Sequence, residues 1–270
     1  MEKTAGVTML RSKKLFIFDL DGTIYLDGVL FPGALELLER IRKNSGEYVF
    51  FTNNSSISTI DYLHKIQRLG IPCEIDNVAT STQALIIHIR ESYPDARFYV
   101  MGTASMKAEL RESGLLVVDR YQDDIDGVVI GYDTELVYQK LIDVSRLLTQ
   151  GKIYLATNPD LVCPVEFGFV PDCGSFAVML ENATKRRPRF LGKPEPDIIE
   201  MIINRFGVLK EETVLVGDRL YTDIKCGINA GIDTVLVLSG ETTVQDLELS
   251  DFQPTFVVSG VHSILEMLED

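Results

Sequence analysis

Along this chain, short runs of apolar, β-branched and aromatic residues alternate with longer segments whose apolar positions recur every three or four residues. The runs Leu15–Asp19, Tyr48–Thr52, Phe98–Gly102, Gly127–Tyr132, Lys152–Thr157, Thr213–Gly217 and Thr234–Ser239 have the length and composition of buried strands. Between them, "ALELLERIRKN", "STIDYLHKIQRLG", "ELVYQKLIDVSRLLTQG" and "PDIIEMIINRFG" predict amphipathic helices that finish near Gly or Asn. Strands and helices taken in turn predict an α/β fold built on a mainly parallel sheet. These strands are enough for two sheets. Polar stretches at Asn77–Gln83 and Glu181–Phe190 are the expected junctions, making residues 82–185 an insertion and joining 1–81 to 186–270 in one core. Fixed-period repeats and low-complexity tracts are absent.

Composition narrows the functions. With 270 residues and 46% hydrophobic content the chain can bury a substantial core. A formal charge of −14 argues against broad binding to nucleic acid or anionic membrane, because both use basic surface. The sequence contains neither an apolar run of bilayer length nor a secretion signal, so the expected location is the cytoplasm. Cys73, Cys163, Cys173 and Cys226 lack the spacing of a zinc or disulfide framework. His64, His88 and His262 are too scattered for a triad or zinc site, which leaves acid-base chemistry to carboxylates.

In an open α/β sheet, ligands bind at the carboxyl ends of the strands. Those ends carry Asp19 and Asp21 in "DLDGT", Thr52 and Asn53 in "VFFTNNS", and Asp218 and Asp223 in "VLVGDRLYTDI", while Lys193 follows a short apolar stretch in "LGKPEP". Taken singly, each residue reads as a helix cap, a turn or a solvated surface group. Together they suit phosphoryl transfer through a covalent intermediate. A carboxylate can attack phosphorus and split one hard displacement into two easier ones. Crowded aspartates repel unless a divalent cation joins them, and Mg²⁺ prefers such oxygen ligands. Asp21, across a tight turn with Gly22, is placed to protonate the leaving oxygen and later take a proton from water. A lysine and a hydroxyl then hold the phosphoryl oxygens.

In their order, "DLDGT", "FFTNNS", "GKP" and "GDRLYTDI" resemble the four motifs of the haloacid dehalogenase (HAD) superfamily of aspartate-nucleophile phosphatases. The insertion, with "ATNPD" followed by "VPDCGS", resembles the NagD-like, or p-nitrophenyl phosphatase, branch and its C2-type α/β cap. The resemblance implies a Rossmann-like core with Asp19 as nucleophile and Asp21 as general acid/base, its backbone carbonyl also reaching Mg²⁺. It implies Thr52 and Asn53 on the phosphoryl group, Lys193 steadying nucleophile and phosphate, Asp218 as a metal ligand, and Asp223 behind it or acting through water. Asn158, Asp160 and the "DCGS" loop with Gly174 are the cap candidates for substrate selection, and "NPD" is equally turn chemistry. Caps in this branch often meet in dimers. Where relatives often read P-G-x-G-S and A-T-G, this chain has "PDCGS" and "ATKRR", with Asp172 and Lys185 at the altered positions.

The expected activity is Mg²⁺-dependent hydrolysis of small-molecule phosphomonoesters. A phospho-receiver module gathers similar residues but must keep its phosphoaspartate, which Asp21 is placed to hydrolyse, and is shorter than this chain. A catalytically silent phosphate-ligand binding protein on the same fold is the other alternative. Lys193 lacks the glycine lead and following hydroxyl of a nucleotide loop, so ATP is not an expected donor.

Overall fold

The computed structural model describes Thr8 and residues 10–269. The chain divides into two compact units: a core unit, of the described residues through Thr52, Leu63–Ala79 and those from Lys193 onward, and an inserted unit of Asn53–Tyr62 and Thr80–Gly192. One border follows the strand that ends at Thr52, one lies within helix Thr59–Arg68, one falls inside the polar stretch Asn77–Gln83, and the last precedes Lys193. The segment after Thr52 and the strand Arg189–Phe190 pack with the insertion.

The core unit is a six-stranded sheet in the order Phe256–Val258, Asp233–Val237, Thr213–Gly217, Leu15–Phe18, Glu47–Thr52, Val78–Thr80. Pairings from Phe256–Val258 across to Glu47–Thr52 are parallel. Leu15–Phe18 lies inside the sheet with all its residues buried, as a strand covered on both faces requires. In register, Phe18 stands opposite Val216 on one side and Phe50 on the other. Asp19, Thr52 and Asp218 therefore lie together at the carboxyl ends of three neighbouring parallel strands.

Helices follow from their apolar spacing. Ala34–Lys43 buries Ala34, Leu37, Leu38 and Ile41, one face of a 3.6-residue period. Asp197–Phe206 buries Ile198, Ile199, Ile202 and Ile203, and Gly207 ends it in the left-handed conformation that favours glycine. Among the described residues, no helix is long and apolar enough to cross a membrane.

The inserted unit is itself α/β. Its parallel sheet runs Arg189–Phe190, Ile153–Ala156, Gly127–Ile130, Arg97–Met101, Leu116–Val118. Helices Tyr138–Thr149 and Cys173–Thr184 bury Val144, Leu147, Phe176 and Leu180 against Tyr99, Val128 and Ile130. An antiparallel hairpin, Val162–Val165 with Gly168–Pro171, precedes the second of these helices.

Candidate active site

The central strand delivers Asp19 to its carboxyl end, where its N–H donates to Val216 C=O at 2.8 Å and so prolongs the parallel ladder. Lys193 arrives from a distant part of the chain and is buried. Its Nζ lies 2.5 Å from Asp19 Oδ1 and 2.7 Å from Asp223 Oδ1, and donates to Phe51 C=O at 2.9 Å. One ammonium thus ties three strand exits together.

After Gly217 the backbone opens into a wide helical turn, Leu220–Ile224, in which Ile224 N–H reaches Arg219 C=O five residues back. Such turns place side chains where a regular helix would not. Here the turn folds Asp223 back, its Oδ2 accepting from Arg219 N–H at 3.0 Å. Asp218 accepts from Glu241 N–H at 2.7 Å and from the Thr23 hydroxyl at 3.4 Å. At Gly22 the turn after Asp21 has φ +92°, and a Cβ there would lie 2.7 Å from Asp218 Oδ2. Glycine answers both demands, a left-handed backbone and close approach.

Carboxylate oxygens of Asp19, Asp218 and Asp223 lie within 4.8 Å of one another. The Asp21 carboxyl is not in that group, and the Asp223 carboxyl is. Three carboxylates facing one buried ammonium leave excess negative charge. Burial raises Asp19 well above the usual carboxylate range, an effect that Lys193 partly opposes and that Asp223 and Asp218 reinforce. Burial and then the Asp223 charge push Asp218 up to about 7. Burial also raises Asp21, against the opposing charges of Lys65 and Arg219. Burial works against the Lys193 ammonium, but Asp19 and Asp223 outweigh it and lift Lys193 above the ordinary lysine range. Hard oxygen donors with surplus negative charge fit a divalent cation such as Mg²⁺.

Thr52 ends its strand buried within the core unit, whereas Asn53, the next residue, belongs to the inserted unit. There Asn53 Nδ2 donates to Asp160 Oδ2 at 2.8 Å, and Asn158 Nδ2 donates to the same oxygen at 2.9 Å. Thr157 Oγ1 donates to Asn158 Oδ1 at 2.7 Å and lies 3.0 Å from Ser55 Oγ. Gly174 N–H donates to Asp160 C=O at 2.8 Å, and a Cβ on Gly174 would fall 2.1 Å from Pro159 C=O. Asn158 and Asp160 are thus buried in a hydrogen-bonded network that fixes the Asn158–Asp160 loop against the start of helix Cys173–Thr184. The two departures from the relatives' pattern sit at the ends of that helix. Asp172 caps its start by accepting from Cys173 N–H, and Lys185 ends it at φ 60°.

A family model described as haloacid dehalogenase-like hydrolase matches residues 16–116, and a second, HAD-hydrolase-like, matches residues 190–264. Over 260 residues the chain is 32% identical to the acid sugar phosphatase of Staphylococcus epidermidis, covering 96% of this chain and 100% of that protein. This chain belongs to the haloacid dehalogenase-like hydrolases. The crystal structure of 4-nitrophenylphosphatase from Thermotoga maritima is 41% identical with a TM-score of 0.89, covering 96% of this chain and 98% of that one. A NagD-type structure is 39% identical with a TM-score of 0.87, covering 96% and 99% respectively. Within the family the chain is a NagD-like phosphatase, and Asp19, Asp21, Thr52, Lys193, Asp218 and Asp223 lie in segments that the two family models match, whereas Asn158, Asp160 and Gly174 lie between them.

Proposed function

We propose that this chain hydrolyses small-molecule phosphomonoesters with Mg²⁺ through a phosphoaspartate on Asp19. The observation that carries the reading is Lys193 Nζ held between Asp19 and Asp223, beside Asp218, at the carboxyl end of the central strands. Lys193 keeps Asp19 oriented with one oxygen engaged, and its charge favours the ionised, nucleophilic form. In the first step Asp19 forms a bond to phosphorus as the bond from phosphorus to the leaving oxygen breaks. The Asp21 proton passes to that oxygen, so the alcohol departs neutral. In the second step water attacks phosphorus, its proton returns to Asp21, and Asp19 is released as a carboxylate. Thr52 and Lys193 hold the transferring phosphoryl oxygens.

Asp19, Asp218 and the Asp21 backbone carbonyl, with Asp223 adjoining, would hold Mg²⁺, which supplies neutralising charge to the phosphoryl group. Sugar phosphates are among the candidate substrates, supported by the full-length relative that acts as an acid sugar phosphatase. A homodimer through the inserted unit belongs to the same reading, supported by the exposed Phe167 and Phe169 of its hairpin. Light scattering on the purified protein tests it, and a monomeric mass at assay concentrations would remove it.

The decisive assay is phosphate release across a panel of phosphomonoesters, with and without Mg²⁺, beside Asp19→Asn. We expect release that needs both the metal and Asp19, and rapid-quench mass spectrometry to find phosphate on the Asp19 peptide. Turnover by Asp19→Asn at the wild-type rate would overturn the nucleophile assignment.

A further inference from the structure

Tyr25 and Lys65 took no part in the sequence reading of the site, yet their hydrogen bonds converge on Asp21. Tyr25 is completely buried. Lys65, on helix Thr59–Arg68, places Nζ 2.8 Å from the Tyr25 hydroxyl and 4.5 Å from the centroid of its ring. The same hydroxyl lies 3.4 Å from Asp21 Oδ2. Chemistry fixes the direction of this chain. An ammonium only donates, so the phenol oxygen accepts from Lys65 and its single proton is directed to Asp21. The backbone adds a second hold: Gly22 N–H donates to Tyr25 C=O at 2.8 Å, and Tyr25 N–H to Leu20 C=O at 3.2 Å. Asp21 and Tyr25 also form an isolated bridge. With Oδ2 engaged, Asp21 Oδ1 accepts no hydrogen bond from the described residues.

We propose that Tyr25 and Lys65 are positioning residues that grip the Asp21 carboxyl through Oδ2 and leave Oδ1 to carry the catalytic proton. The proposal rests on the phosphatase reading above. In the first step the proton on Oδ1 moves to the departing oxygen as the P–O bond breaks. In the second, Oδ1 takes the proton that the attacking water gives up. A loosened Asp21 therefore harms the two kinds of ester unequally. An alkyl phosphate has a strongly basic leaving oxygen and depends on that proton, whereas 4-nitrophenolate departs readily without it.

The test measures kcat and KM for 4-nitrophenyl phosphate and for glycerol phosphate with Mg²⁺, in wild type, Tyr25→Phe, Lys65→Met and Lys65→Arg. Tyr25→Phe removes only the hydroxyl. We expect the ratio of alkyl to aryl kcat/KM, which reports the step in which the leaving oxygen departs, to fall about tenfold or more in Tyr25→Phe, a part of what general acid catalysis usually contributes. The same ratio falls less in Lys65→Met and recovers partly in Lys65→Arg, which restores a donor. If Tyr25→Phe does not fold, Lys65→Met decides on the same ratio. An active wild type whose variants lose kcat/KM equally for both esters, or for neither, overturns the positioning role alone. A wild type inert toward both esters sinks the phosphatase reading and this proposal with it.

Discussion

Lys193 sits with its side chain 2% exposed between two carboxylates, so its removal strands the charge of both. Breaking a buried pair by deleting one partner costs about 3–5 kcal/mol, because the remaining charge is left uncompensated. Lys193→Met is expected to lose at least about 10²-fold in kcat and to unfold at lower urea in a chelator. Adding Asp223→Asn should recover part of the stability and none of the activity, since it removes a stranded carboxylate without restoring the ammonium. Equal urea midpoints for wild type and Lys193→Met would contradict the ion-pair geometry. At this scale the sequence was readable wherever a residue closes a strand: Asp19, Thr52 and Asp218 each follow a buried apolar run. Nothing in "RLYTDI" announces a wide turn, and that turn sets the Asp223 carboxylate within 4.8 Å of those of Asp19 and Asp218. Tyr25 and Lys65 are 40 positions apart and meet only in three dimensions.

Among the elements, helix Cys173–Thr184 closes at Lys185 with φ 60°, a conformation glycine adopts without cost. The Lys185 ammonium donates to Asn182 C=O at 3.1 Å, a partial compensation that leaves the side chain exposed. Lys185→Gly is expected to stabilise the protein by about 0.5–1 kcal/mol, read as a higher urea midpoint at unchanged slope, with kcat unaltered. Strands with long apolar runs were legible, and the short ones were not. Val78–Thr80 fell inside a stretch that reads as a polar junction because its neighbours are polar for local reasons. Asn77 donates to Tyr48 C=O at 2.8 Å, and Thr80 caps helix Ser81–Ser92. Two prolines, Pro164 and Pro171, disguised the hairpin, since proline removes a ladder donor and marks only edges. Arg189–Phe190 pairs over two residues, too few for any period to show.

For the whole molecule, the buried acid cluster links proton binding to folding. Without metal, Asp218 holds its proton to about pH 7, whereas an unfolded aspartate releases it near 3.9. The folded state then binds more protons across that window, so this contribution to stability is complete below about pH 4 and is lost as pH rises through 7. In a chelator the melting temperature should therefore fall from pH 6 to pH 8 by more in wild type than in Asp218→Asn. Mg²⁺ should raise it more at pH 8, where no proton competes for the carboxylates. Identical pH profiles for the two proteins would refute this. The core unit also draws on three separated stretches of chain, while the inserted unit is continuous over Thr80–Gly192 apart from a short preceding segment. During synthesis Asp19 emerges early, and Lys193, its ion-pair partner, appears only after 173 intervening residues have been made. Closing so large a loop is slow, and local contacts form first. Pulse-labelled hydrogen exchange should find amides of Ile153–Ala156 protected before those of Leu15–Phe18. On that expectation the Asp19–Lys193 pair closes last, and a chain that stops short of Lys193 holds Asp19 without its ammonium partner.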